Sequence, residues 1–141
     1  MRVYIHPCME RRAFEILAKR EDERVAYGWA MVAATAGGER IVDLQGDLIE
    51  PSELEKASVE FMLAYRDSGV MHKGAPIASV VASLVTTPEL TKALGIPDGH
   101  VPVGWVVGVK IHDEAVWKRV KDGELRMFSI EGDADRVEAA A

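Results

Sequence analysis

The chain has 141 residues, 48% of them apolar and 28% charged, with a net charge of −6 and a pI near 5.2. These values describe one soluble globular domain, and the acidic balance argues against broad nucleic-acid or anionic-membrane binding, which needs a basic face, while leaving room for a local basic patch. No apolar run approaches the roughly 20 residues of a membrane-spanning helix, which points to the cytoplasm, and the lone cysteine, Cys8, has no partner for an internal disulfide or a zinc knuckle.

In chain order, residues 1–23 read as a leader, 24–132 as the core and 133–141 as a frayed tail of a single domain. Arg2 to Ile5 suits a short strand that Pro7 ends. From Glu10 to Lys19, the residues Ala13, Phe14, Leu17 and Ala18 share one helical stripe, which predicts an amphipathic helix. The charged run Lys19–Arg24 then forms a solvated loop. Val25–Ala34 is apolar on both alternations, as in a strand buried on both faces. Gly28 beside Trp29 implies a bend or a close backbone approach. Gly37-Gly38 marks a hairpin turn, with Arg40–Leu44 as the returning strand.

Ser52 with Glu55 after Pro51 has the form of a capping box, and the helix it opens runs to about Asp67. Leu54, Ser58, Phe61, Met62 and Tyr65 mark its inner face, and Gly69 stops it. Pro76–Thr86 is rich in β-branched residues and reads as a strand. Thr87-Pro88 caps a short helix, Pro97-Asp98-Gly99 is a turn, and Val103–Ile111 is a further strand. Asp113 caps a helix whose inner face carries Val116, Trp117 and Val120, and Gly123 ends it. Leu125–Ile130 is the last strand. Several strands are too apolar to have a wet face. The fold expected is therefore α+β, with a small closed or strongly curled β-barrel surrounded by short helices.

Two segments hold candidate chemistry. Ser129 places a hydroxyl inside the apolar strand Leu125–Ile130, and His72 stands in Val70-Met71-His72-Lys73-Gly74. Such a serine is often only a satisfied polar spot. It becomes a nucleophile when a base can reach it. Asp43 and Asp47 bracket Gly46 near a strand end, where backbone preference alone accounts for aspartate and glycine. Ser79 and Ser83 read as plain strand residues. His6, His100 and His112 read as leader, turn and helix-start residues. No His-x-x-x-His spacing, carboxylate cluster or glycine-rich phosphate loop is present, so neither metal nor cofactor is expected.

Taken together, Tyr27-Gly28-Trp29-Ala30, Asp43-Leu44-Gln45-Gly46-Asp47-Leu48-Ile49-Glu50-Pro51, Met71-His72, Pro102-Val103-Gly104-Trp105 and Met127-Phe128-Ser129-Ile130 resemble the XkdF-type serine proteases of phages and prophages. The likeness runs from about Val25 to Gly132, and more distantly to the prohead maturation proteases of tailed phages. It implies an assemblin-like barrel, endopeptidase activity, and cleavage of scaffold or major capsid protein inside a procapsid assembling in the host cytoplasm. It also leaves room for a homodimer. His72 matches the family's catalytic histidine and Ser129 its nucleophile.

In that scheme a histidine takes the serine proton and a carboxylate on its far ring nitrogen fixes the tautomer. Asp43 is the first choice for the carboxylate and Asp47 the second, ahead of Glu131, Asp133 and Asp135. Two departures stand out: Glu131 follows Ile130 where the family commonly has glycine, and no histidine follows Ser129, where assemblin-type proteins place a third catalytic member. Both make a catalytically silent capsid-assembly or scaffold-binding module the main alternative, with a β-rich housekeeping binding domain behind it.

Overall fold

The computed structural model describes residues 2–6, 16–43, 46–66, 77–131, 135 and 137, with side-chain surroundings over 16–43, 46–64 and 77–128 and at 135 and 137. The elements in order are β1 (Arg2–His6), β2 (Ile16–Arg20), β3 (Val25–Ala34), α1 (Pro51–Arg66), β4 (Ala78–Val85), α2 (Pro88–Ala93), β5 (Val103–Ile111), α3 (Glu114–Lys121) and β6 (Met127–Glu131). Four strands form an antiparallel sheet in the order β2-β3-β5-β4, and β1 pairs with β6 in a second, two-stranded sheet.

The larger sheet buries one face under helices. Along β5, Trp105, Val107, Val109 and Ile111 alternate onto that face and join Ala26 and Val85 in the core. Helix α1 lies against it through Leu54 and Phe61, whose ring meets Trp105 edge-on at 5.3 Å between centroids. The Trp105 indole Nε1 donates to Ser83 Oγ at 2.7 Å, so the largest buried ring keeps its polar atom satisfied. Trp117 and Val120 of α3, with Leu125 and Phe128, complete the same cluster.

The intervening residues of β5 include Gly104 and Gly108, and rings from β3 occupy the space their missing side chains leave. A Cβ on Gly104 would stand 2.6 Å from Met31 O and 3.0 Å from the Trp29 ring; one on Gly108 would stand 2.7 Å from the Tyr27 ring. Paired register places Tyr27 opposite Gly108 and Trp29 opposite Val106.

The expected barrel is not formed. The four-stranded antiparallel sheet stays open, with β2 and β4 at its edges among the described residues. The α+β class stands, but both-sided apolarity in β3 was a misleading sign of closure. It arises because Tyr27 and Trp29 lie over glycines on one face while Ala26 and Ala30 enter the core on the other.

Three local expectations also change. Leu17, Ala18 and Lys19 belong to β2, not to a helix: Ala18 and Lys19 pair with β3 across a turn at residues 21–24, where Arg24 takes φ 52°, and Leu17 lies at a register shift between Ile16 and Ala18. Pairing to a neighbouring strand overrides the helical stripe, and Leu17 is left 59% exposed. The remainder of the predicted helix, residues 10–15, lies outside the described residues. Among the described residues the returning strand after Gly37-Gly38 shrinks to one bridge, Ala34 with Arg40, extended by Ile41 N donating to Ala33 O at 2.9 Å. Helix α1 begins at Pro51 with Leu54 N bonded to Glu50 O, so Ser52 sits inside the first turn and does not cap it.

Other boundaries match the reading. Thr87 caps α2 by accepting from Leu90 N, and Asp113 caps α3 by accepting from Val116 N at 2.8 Å.

Candidate active site

Ser129 is carried by β6, where its backbone is paired with Tyr4 of β1. The residue before it, Phe128, is 2% exposed and rests on β3 at Gly28. A Cβ on Gly28 would stand 3.0 Å from the Phe128 ring and 3.1 Å from Ile16 Cα, so the glycine admits β6 close to the sheet. Arg126 O accepts from Ile16 N at 2.7 Å and ties the start of β6 to β2. Strand β6 is therefore fixed by a main-chain bond and a buried aromatic ring just before Ser129. The side chain of Ser129 lies outside the described surroundings, and so does all of residues 67–76, including His72.

Asp43 and Asp47 face each other across a tight loop. Asp43 N donates to Asp47 O, Asp47 N to Asp43 Oδ1, both at 2.9 Å, and Gly46 takes φ 83°. An Arg40–Glu50 ion pair closes the loop at its base. This is the turn chemistry that aspartate and glycine provide for backbone reasons. It holds the Asp43 carboxylate in place, as an orienting acid requires. Of the remaining acids, Asp135 is exposed, Glu131 ends β6, and Asp133 lies outside the described residues.

The structure also brings together two residues that sequence reading treated as inert. Ser79 Oγ stands 2.9 Å from His112 Nε2 at the end of the sheet where β4 begins and β5 ends. His112 is held there by its backbone N–H, which donates to Ile77 O at 2.8 Å, and by Arg24, which donates to its carbonyl. No sequence signal pointed to this pair, since 33 residues separate its members and only strand register joins them. A cleft of about 460 Å³ lies at the other end of the sheet between the Thr35–Gly38 turn and the Ile96–Gly99 loop. Neither Asp43 nor Asp47 lines it. Among the described residues no group of histidine, cysteine and carboxylate side chains could hold a metal ion, and no helix is long and apolar enough to cross a membrane.

Residues 13–138 match the family described as "Putative phage serine protease XkdF". The chain belongs to this family. The match covers every element from β2 to β6 and includes the positions of His72 and Ser129. The curated "Uncharacterized protein YqbD" of Bacillus subtilis (strain 168) is 30% identical over 131 residues, covering 91% of this chain and 37% of that protein. The chain thus spans well under half the length of that relative. No solved structure matches it significantly. The family is the one that the sequence motifs resemble.

Proposed function

We propose that this chain is a serine endopeptidase that cleaves scaffold or major capsid protein segments during procapsid maturation. Ser129 is the nucleophile and His72 the base. Asp43 orients the imidazole, with Asp47 as the second choice. The observation that carries this reading is the family match across residues 13–138, which contains the histidine and the serine in the order the resemblance requires.

The chemistry follows from those roles. His72 takes the Ser129 proton as Oγ attacks the scissile carbonyl, and then returns it to the leaving amine. A water, deprotonated by the same imidazole, releases the acyl group and restores the hydroxyl. The carboxylate stabilises the imidazolium between these steps. Strand β6 contributes position: the buried Phe128 and the Ile16–Arg126 main-chain bond limit how far Ser129 can drift. Fixed geometry of that kind is a large part of what an enzyme adds to a serine.

Co-expression with the capsid or scaffold protein encoded beside it tests the proposal. The partner is expected to be shortened by the wild-type chain, and Ser129→Ala or His72→Ala to slow processing by roughly 10⁴-fold or more. Processing that continues with Ser129→Ala rejects the nucleophile. A partner that co-purifies uncut with wild type and variant alike identifies the silent, scaffold-binding relative.

A further inference from the structure

Between β2 and the turn from α3 into β6 lies a cavity of about 220 Å³ lined by Ile16, Lys19, Gly123, Leu125 and Arg126. Its floor is apolar, with Leu125 buried and Ile16 half-buried. Its walls carry two cations. Three carboxylates near it are paired with other cations: Asp122 with Lys118, Glu124 with Arg119, and Glu23 with Arg20. The hydrogen bond from Lys118 holds the Asp122 carboxyl below its usual range. Lys19 Nζ reaches Lys121 O at 3.5 Å, and Arg126 Nε donates to Gly123 O. Among the described residues neither cation is in an ion pair.

Those carbonyls explain why the cations gather here. They end α3, where the helix dipole favours positive charge. They do not use up the donors, since an ammonium has three and a guanidinium five. In a chain with 23 acids against 17 lysines and arginines, two cations that line one cavity, with no carboxylate among its described lining residues, favour one from outside.

The cavity is also placed for substrate. Arg126 is three residues before Ser129, about 10 Å of extended chain at roughly 3.3 Å per residue. We propose that this cavity takes the carboxylate of a glutamate or aspartate in an extended polypeptide substrate, a few residues from the bond cut. As a specificity site it rests on the assignment of Ser129 as nucleophile; as a binding site it does not.

The full-length Ser129→Ala chain, labelled with ¹⁵N, is titrated with the blocked peptide Ala-Ala-Glu-Ala-Ala, its Gln counterpart, and sodium acetate. The Glu peptide is expected to move the amide signals of Lys19, Gly123 and Arg126, and the Gln peptide to bind about fivefold more weakly. Lys19→Gln with Arg126→Gln should abolish the difference. Arg126→Lys, which keeps the charge, should retain most of it and serves if the double variant fails to fold. Equal binding of the two peptides, or shifts confined to other amides, overturns the proposal. Acetate binding as tightly as the Glu peptide also overturns it and marks a site for free carboxylates. No catalysis enters this assay, so its failure counts against the cavity, whereas a failure to acylate Ser129 counts against the protease.

Discussion

Gly28 shows how one absent side chain sets the position of a strand. With 3.0 Å between a would-be Cβ and the Phe128 ring, Gly28→Ala must push β6 outward or turn Phe128 from its pocket. Overpacking of this kind costs about 1–3 kcal/mol. Thermal melts of Gly28→Ala should show that loss, and an unchanged melting temperature would mean that β6 does not rest on β3 as described. A second test at this scale concerns Ser83. Its hydroxyl is the acceptor for the indole N–H of the fully buried Trp105. Ser83→Ala leaves that donor without a partner, at about 1–3 kcal/mol by chemical denaturation. A variant as stable as wild type would show that the indole finds another acceptor.

At the scale of elements, α3 depends on its first turn. Asp113→Ala removes the acceptor for Val116 N and should destabilise by about 1 kcal/mol, while Asp113→Asn should cost little. Equal losses in both would point to the charge, not the cap. Strand β2 offers a sharper contrast. Because Leu17 is exposed on an edge strand, Leu17→Thr should change stability by no more than about 0.5 kcal/mol. A loss of roughly 2 kcal/mol or more would restore the amphipathic helix, in which Leu17 faces a core.

That contrast also marks what could be read from residues alone. Elements with punctuation were legible: Thr87-Pro88, Asp113 and Gly123 bounded helices correctly, and Val103–Ile111 was placed to the residue. Where two local patterns competed, the sequence could not arbitrate. Leu17 and Ala18 fit a helical stripe, and the decision came from β3, which needed a partner on its free side. The open sheet was hidden for a related reason, since glycines under aromatic rings give a strand the same apolar profile as burial between two layers. In the site, Ser129 stood out as a hydroxyl in an apolar strand. Ser79 and His112 did not, because their meeting depends on the pairing of β4 with β5.

For the whole molecule, the family match supplies the kinship and the open sheet supplies the frame. The frame holds two serines worth comparing: Ser129 on the strand seated against Gly28, and Ser79 beside His112 at the sheet's far corner. A hydrogen bond alone does not make a hydroxyl reactive, because the base must also be oriented and the developing oxyanion held. Under the proposed function that environment belongs to Ser129. The most direct measurement is the intact mass and peptide map of the purified chain after exposure to a fluorophosphonate, which phosphonylates an activated serine with loss of fluoride. One adduct on Ser129 is predicted, absent from Ser129→Ala and His72→Ala and retained in Ser79→Ala and His112→Ala. An adduct on Ser79, or labelling of Ser129 that persists in His72→Ala, would contradict it.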